Sequence, residues 1–197
     1  MNITSSMVQE LRAKTGLGIM KCKEALVETN GDIDAAVDYL RKKGLADAAK
    51  KAHRTTSEGI LGHYVHHSDK LGVLVEVFCE TDFVAKTDDF RAFVKDIAMH
   101  IASSNPSYLD RDSVPSDVLE KEKAIYREQV ADLKKPEKIV EKIVDGKLNK
   151  FFSQVCLLEQ PFVKQDDITV MEYTKSVIAK FGENVRIGRF VRMQLGE

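Results

Sequence analysis

Cysteine is scarce in this chain, and neither sign of charge is in excess. The three cysteines, Cys22, Cys79 and Cys156, lie far apart and match neither metal-site spacing nor a C-x-x-C redox motif. We therefore expect three buried free thiols and a reducing compartment. The formal net charge is -1, whereas nucleic-acid-binding proteins usually carry a clear basic excess. No direct nucleic-acid partner is therefore expected.

Long apolar runs are also missing. No uncharged stretch approaches the roughly 18 residues that a membrane-spanning helix needs, so no membrane partner is expected. The first residues, "MNITSSMVQELRAKTG", lack a basic segment followed by an apolar one, and a signal peptide is therefore not expected. These absences together predict a cytoplasmic protein.

Motifs that hold cofactors or carry out catalysis are not found. The "GLG" at Gly16–Gly18 follows a helical pattern and not a strand, so it lacks the context of a phosphate-binding loop, and no G-x-S-x-G motif is present. On a strand, His63 and His67 would share one face and His66 would point away, which leaves no third metal ligand. We expect no enzyme, no cofactor and no metal site. A metal-dependent hydrolase built on these histidines is the weaker alternative.

Residues 4–52 have helical apolar spacing interrupted by glycine. The first segment, after cap candidates at Thr4–Ser6, ends at Gly16. The second ends at Asn30 and the glycine after it, and the third starts at an aspartate cap and ends at Gly44. Three short helices predict a compact bundle, which has little core and suits binding better than catalysis.

The stretch "LADAAKKAHRTTSEG" follows as a short helix and a polar linker. Its cations Lys50, Lys51 and Arg54 form a local basic cluster. A solvated helix face is the favoured interpretation. Contact with nucleic acid is the alternative, and it makes an RNA- or ribosome-associated protein the main rival function.

After the linker the apolar period changes from helix to strand. "GILGHYVHHS" and "GVLVEVFCET" flank "DKLG" and predict a hairpin. On its second strand, one face holds Val73, Val75, Val77 and Cys79. Amphipathic helices are predicted over residues 88–106, 116–135, 136–148 and 169–184. The last segment, "NVRIGRFVRMQLG", is a strand whose apolar face holds Val185, Ile187, Val191, Met193 and Leu195, with Arg189 intruding on it.

The predicted fold class is therefore α+β. An N-terminal three-helix bundle is followed by a small antiparallel or mixed sheet of about three strands, packed with helices.

The segment "GIMKCKEAL" places Met20 on the solvent side of its helix. At about 100° per residue, the mean direction of Cys22, Ala25 and Leu26 is nearly opposite to it. Ile19 lies at the edge of their face. An exposed methionine is an adaptable contact residue; a scattered surface apolar residue is an equally good interpretation.

The stretch "FCETDFVAKTDDF" carries an apolar pair, Phe83 and Val84, between a strand and a helix. The pair follows an acid, and no glycine or proline forms the turn. Segments that only reverse the chain usually contain those residues. The apolar side chains at this tip therefore either pack inward or reach outward.

Four segments, in this order, resemble the elongation factor Ts family: "LRAKTGLGIMKCKEAL", "CETDFVAKTDDF", "VCLLEQPFV" and "GENVRIGRFVRMQLGE". The resemblance covers nearly the whole chain. It implies a ubiquitin-associated-like (UBA-like) helical module over residues 1–54. It also implies a single α+β core domain over residues 55–197, as in short bacterial forms of the family.

The same resemblance implies a guanine-nucleotide exchange factor for translation elongation factor Tu, which it would bind in the GDP-bound and nucleotide-free states. The loop that dislocates the partner's magnesium ion matches Thr81, Asp82, Phe83 and Val84, with the phenylalanine as a wedge between helices of the partner. The family's N-terminal contact with the same partner domain matches Arg12, Ile19 and Met20. Because one core copy is present, pairing of two chains through the last strand to form a homodimer is a further hypothesis.

Overall fold

The computed structural model describes residues 3–131 and 136–197. Its helices are α1 (Ser5–Thr15), α2 (Ile19–Glu28), α3 (Ile33–Lys51), α4 (Asp82–Ala85), α5 (Asp88–Ser104), α6 (Ser116–Ala131), α7 (Glu137–Val155) and α8 (Val170–Phe181). Its strands are β1 (Glu58–Val65), β2 (Leu71–Cys79), β3 (Pro161–Phe162), β4 (Gln165–Thr169) and β5 (Val185–Gln194). The predicted α+β class is confirmed, whereas the UBA-like character of the first three helices stays a prediction.

Local capping explains where the first helices begin and end. The Thr4 side chain accepts a hydrogen bond from the Met7 amide at 3.3 Å and starts α1. Gly16 ends α1 in the left-handed conformation, at φ 66. The Asp32 carboxylate starts α3 by accepting from the Ala35 amide at 2.9 Å. The boundaries predicted at these positions are confirmed.

The predicted end of the third helix at Gly44 is wrong. α3 continues to Lys51 and includes the short helix expected after it. A Cβ on Gly44 would lie 3.1 Å from the Ala179 Cβ, closer than the ~3.5–4.0 Å of normal carbon contacts. The glycine therefore allows α3 and α8 to approach each other closely and does not end a helix.

The larger sheet has the strand order β1-β2-β5. On β2, the alternating residues predicted to share a face are all buried: Val73, Val75, Val77 and Cys79. Just beyond the end of β5, the Leu195 amide donates to the carbonyl of Lys70, just before the start of β2, at 2.9 Å. Since opposite ends of the two strands meet, β2 and β5 run antiparallel.

The apolar face predicted for the last strand is buried only in the first half of the strand. Ile187 and Gly188 are both buried although they are consecutive, so the buried face changes between them. Beyond that point Arg189, Val191 and Met193 are exposed together. Arg189 therefore lies on an exposed face with the apolar residues Val191 and Met193.

A short hairpin was not predicted. β3 and β4 pair antiparallel, with Phe162 opposite Gln165. Helix α7 is also longer than predicted, since it continues past Leu148 to Val155. The predicted end of the helix before it, at residues 132–135, lies outside the described residues.

The chain divides into two compact units. The first comprises Met1–Gly62, Glu76–Val94 and Glu172–Ile187, and the second His63–Val75, Lys95–Met171 and Gly188–Glu197. A core of the first unit contains Val8, Leu11, Leu17, Cys22, Ala25, Leu26, Ala36, Leu40 and Ala179. A core of the second contains Val114, Val130, Val144, Leu148, Phe152 and Cys156. The domain boundary expected near residue 54 stays a prediction.

The three cysteines are free and buried, as predicted. Burial raises the pKa of the Cys79 thiol to about 11. It raises the pKa of the Cys156 thiol to about 11 as well. Both are therefore neutral thiols near pH 7.

Candidate functional site

The segment after β2 forms one helical turn, α4. The Thr81 hydroxyl caps the turn by accepting from the Val84 amide at 3.4 Å. The Lys86 ammonium donates to the Asp82 carboxylate at 2.5 Å and holds the pKa of that carboxyl below its ordinary value. Asp82 is thus ionised in the first turn of a helix, where a negative charge is favourable.

The turn directs its aromatic side chain outward. Phe83 is 81 % exposed, the largest exposed fraction among the large apolar side chains of the described residues. Val84 is half-buried, and Ala85 is only 6 % exposed. The end of the turn is therefore anchored in the protein while Phe83 reaches into solvent, which excludes a place for Phe83 in the protein's own core.

Two acids hold this turn, and sequence reasoning identified neither. Glu183 accepts hydrogen bonds from the Thr81 amide at 3.1 Å and from the Thr81 hydroxyl at 2.7 Å. Glu80 accepts from the Asn184 amide at 2.5 Å, and the Asn184 side chain donates to the Arg54 carbonyl at 2.9 Å. In the sequence these acids look like ordinary surface residues. The one available signal is that Glu183 directly follows the glycine that stops α8.

Helix α2 exposes Met20, as the helical period predicted, and also Ile19, which was expected at the edge of the core face. Met20 is 77 % exposed and Ile19 is 55 % exposed. The opposite side of α2 is buried and holds Cys22, Ala25 and Leu26. The orientation of α2 derived from the helical period is therefore confirmed.

An open groove of about 460 Å³ lies beside these exposed residues. Its lining includes Arg12, Ile19 and Met20 together with Lys180 and Phe181 of α8. The predicted N-terminal contact residues are therefore gathered around one groove, which combines an apolar surface with basic side chains.

Helix α8 connects the groove to the turn that carries Phe83. The Lys21 ammonium donates to the Ala179 carbonyl at 2.9 Å, which attaches α2 to α8. α8 ends at Phe181, and Glu183 follows shortly with its two hydrogen bonds to Thr81. One short segment therefore supports both sets of candidate contact residues.

The basic cluster has an ordinary structural explanation. Lys50 and Lys51 lie in the last turn of α3, where cations interact favourably with the helix dipole. The Arg54 guanidinium lies 3.4 Å from the Glu80 carboxylate. These placements agree with the solvated helix face that the sequence favoured.

No metal centre is found in residues 3–131 and 136–197, because no group of three His, Cys, Asp or Glu side chains there could hold an ion. β1 ends at Val65, so the strand alternation predicted for His66 and His67 does not extend to them. Their rings lie 4.0 Å apart, centroid to centroid. In the same part of the chain, no helix is long and apolar enough to cross a membrane.

An exposed aromatic side chain on a braced turn, together with a second exposed apolar set beside a groove, is typical of a surface that contacts another protein. The fold and the site thus define an α+β protein with an exposed apolar candidate contact surface.

Comparison with known proteins identifies the family. The family model described as elongation factor TS matches residues 47–197. Elongation factor Ts of Geotalea uraniireducens is 58% identical over 197 residues, which are 100% of this chain and 91% of that protein. The protein of the same name from Fervidobacterium nodosum is 55% identical over 197 residues, 100% of both chains. The chain belongs to the elongation factor Ts family and is therefore a translation elongation factor.

Proposed function

We propose that the chain is the guanine-nucleotide exchange factor of elongation factor Tu. It promotes GDP release by disturbing the magnesium and phosphate site of its partner, and it stabilises the nucleotide-free complex until GTP binds. The observation that carries the proposal is Phe83, which is 81 % exposed on a turn held by Glu183. An aromatic side chain kept in water at that exposure gains the free energy of burial when a partner covers it.

Exchange by this route needs no bond to be made or broken in the factor. A nucleotide held through a magnesium ion leaves slowly, because the ion bridges phosphate and protein oxygens. Inserting Phe83 between helices of the partner favours a conformation in which the ion is poorly held. Coupling between two binding sites is reciprocal, so nucleotide weakens binding of the factor as much as the factor weakens binding of nucleotide.

The N-terminal residues supply a second contact in this proposal. Residues 1–54 act as a UBA-like binding module and residues 55–197 as the core domain. Ile19 and Met20 offer exposed apolar surface beside the groove, and Arg12 offers a charge at its edge. A second contact fixes the orientation in which the turn meets the partner, which favours one productive geometry over many weak ones.

The direct test is the release of fluorescent GDP from elongation factor Tu. We expect Phe83→Ala to lower the exchange rate about thirtyfold, equivalent to the ~2 kcal/mol of an aromatic interface anchor. Asp82→Ala should lower it less, because its carboxylate lies at the surface and is paired with Lys86. Ile125→Ala is the matched control, since Ile125 is 46 % exposed on α6.

A normal circular-dichroism spectrum with an unchanged rate for Phe83→Ala would exclude the wedge role. Binding has an independent test. The factor should co-purify with elongation factor Tu in the absence of nucleotide, and GDP with magnesium should separate the two. A complex that stays intact when GDP and magnesium are added would contradict the reciprocal coupling.

Homodimer formation is a second proposal, favoured by exposed apolar residues on the strands of the larger sheet. Those in or directly after these strands include Val65, Leu74, Val191, Met193 and Leu195. Met193→Asp should shift sedimentation toward monomer, whereas Val163→Asp, outside these strands but 46 % exposed, should not. A wild-type chain that sediments only as monomer at high micromolar concentration would overturn the proposal.

A further inference from the structure

Two segments far apart in the chain hold each other through reciprocal hydrogen bonds. Glu80 and Thr81 follow β2, while Glu183 and Asn184 precede β5. The Glu183 carboxylate accepts from the amide and the hydroxyl of Thr81, at 3.1 and 2.7 Å. The Glu80 carboxylate accepts from the Asn184 amide at 2.5 Å. Each acid therefore fixes the backbone of the opposite segment.

The bond from the Thr81 hydroxyl determines how that hydroxyl can act as a helix cap. A hydroxyl has one proton to donate and two lone pairs that accept. In this chain the proton is directed at Glu183, and a lone pair accepts from the Val84 amide at 3.4 Å. The carboxylate thus orients the oxygen that caps the turn carrying Phe83.

The turn needs such support because it is short. α4 has four residues, and an isolated helical turn is unstable, since its first hydrogen bonds fix many dihedral angles for little gain. Phe83, at 81 % exposure, has few contacts that could fix its direction. Without the carboxylate, the turn would sample several orientations, and binding would have to select one of them.

We propose that Glu183 is a positioning residue for the contact made by Phe83. It holds the turn in the bound orientation before the partner arrives, so that less ordering is needed on binding. This inference rests on the proposed function, because it assigns Glu183 an effect that passes through Phe83. The two hydrogen bonds between Thr81 and Glu183 carry it.

A double-mutant cycle on GDP release tests the inference. We expect Glu183→Ala to lower the exchange rate about tenfold, and to cause no further loss in a Phe83→Ala background, because residues that act through one contact are not additive. Glu183→Gln keeps one acceptor oxygen, so its exchange rate should lie between the rates of the wild type and Glu183→Ala. If Glu183→Ala does not fold, Glu183→Gln replaces it in the double-mutant cycle. Glu159→Ala, which removes a two-bonded carboxylate partner of Arg111, should leave the rate unchanged.

Loop order can be measured without the partner. The chain contains no tryptophan, so Phe83→Trp introduces a unique fluorescent probe at the turn. Time-resolved anisotropy should show a larger amplitude of fast local motion when Glu183→Ala or Glu183→Gln is added, while the circular-dichroism spectrum stays the same.

The outcomes separate the two proposals. In one outcome, Phe83→Ala lowers the exchange rate strongly while the losses in the double mutant are additive, or while the anisotropy is unchanged by the Glu183 substitutions. Either result overturns the positioning role and leaves the exchange mechanism intact. An unchanged rate for Phe83→Ala overturns the exchange mechanism and the positioning role together. Non-additive rates with increased local motion support both.

Discussion

His100→Phe should lower the free energy of unfolding. The His100 side chain is fully buried on α5. Its Nδ1 accepts from the Val163 amide at 3.2 Å, and its Nε2 lies 2.9 Å from the Gln160 Oε1. Because Nδ1 is an acceptor, the neutral ring carries its proton on Nε2 and donates it to Gln160. Phenylalanine would preserve a ring at this position and remove both hydrogen bonds.

The magnitude follows from the two groups left without a partner. These are the Val163 N–H and the Gln160 Oε1. Gln160 cannot easily turn away, because its side-chain amide also donates to the Gln154 carbonyl at 2.6 Å. The Gln160 side chain is buried, whereas the bond from the Val163 amide is only partly buried. An unsatisfied buried group costs about 1–3 kcal/mol and an ordinary hydrogen bond contributes about 1 kcal/mol, so the variant should lose about 2–4 kcal/mol. That is a large part of the ~5–15 kcal/mol that holds a typical domain folded.

The same substitution should remove a dependence of stability on pH. Burial lowers the pKa of His100 below its ordinary 6.5. Below pH 6.5 the unfolded chain therefore binds the proton more readily than the folded chain does. Stability is lost as pH falls from about 6.5 toward the folded pKa, with a slope of at most ~1.4 kcal/mol per pH unit. Phenylalanine cannot take up this proton.

The assay is urea unfolding, followed by circular dichroism at pH 7.5 and pH 5.5. Wild type should lose more stability between the two values than His100→Phe does. His53→Phe, at an exposed histidine, is the control and should behave as wild type. The reasoning is refuted if His100→Phe has the wild-type midpoint at pH 7.5, or if it keeps the full wild-type decline at pH 5.5.

Two further predictions concern packing and thiol chemistry. Gly44→Leu should destabilise the protein by about 1–3 kcal/mol through overpacking. Gly146→Ala, in α7, should stabilise it by about 0.5–1 kcal/mol, because apart from the adjoining helix backbone no atom lies within 4 Å of the new Cβ. Thermal unfolding checks both, and equal shifts in melting temperature would contradict the close approach at Gly44. Cys79, with its pKa raised to about 11, should react with a thiol reagent at pH 7.5 far more slowly in the folded protein than in denaturant. Fast labelling of folded protein at this site would show that the thiol is accessible.

The sequence predicted best where a local pattern decides the outcome. The caps at Thr4 and Asp32, the buried face of β2 and the exposure of Met20 each depend on a few neighbouring residues, and each is confirmed. Gly44 shows the limit of such patterns. A glycine that ends a helix and a glycine that admits a neighbouring helix are identical in sequence, and only the position of Ala179 separates them.

The candidate site shows the same limit. The apolar pair after β2 was noticed from its residues, and the family resemblance suggested a role for it. The acids that hold the turn were missed, because Glu183 is far from Thr81 in sequence and the glycine before it indicates only the end of a helix. The change of buried face between Ile187 and Gly188 was missed for a related reason, since an alternating sequence does not show which half of each face the rest of the protein covers.

The bond between Thr81 and Glu183 spans 102 residues of chain. During synthesis, the segment with Phe83 emerges from the ribosome well before the acid that fixes it. Contacts of such long sequence separation form late, since the loop between them must close first. The turn therefore reaches its final shape only after α8 and the start of β5 have folded, and a shortened chain that ended before residue 183 would contain the turn's sequence but lack its brace.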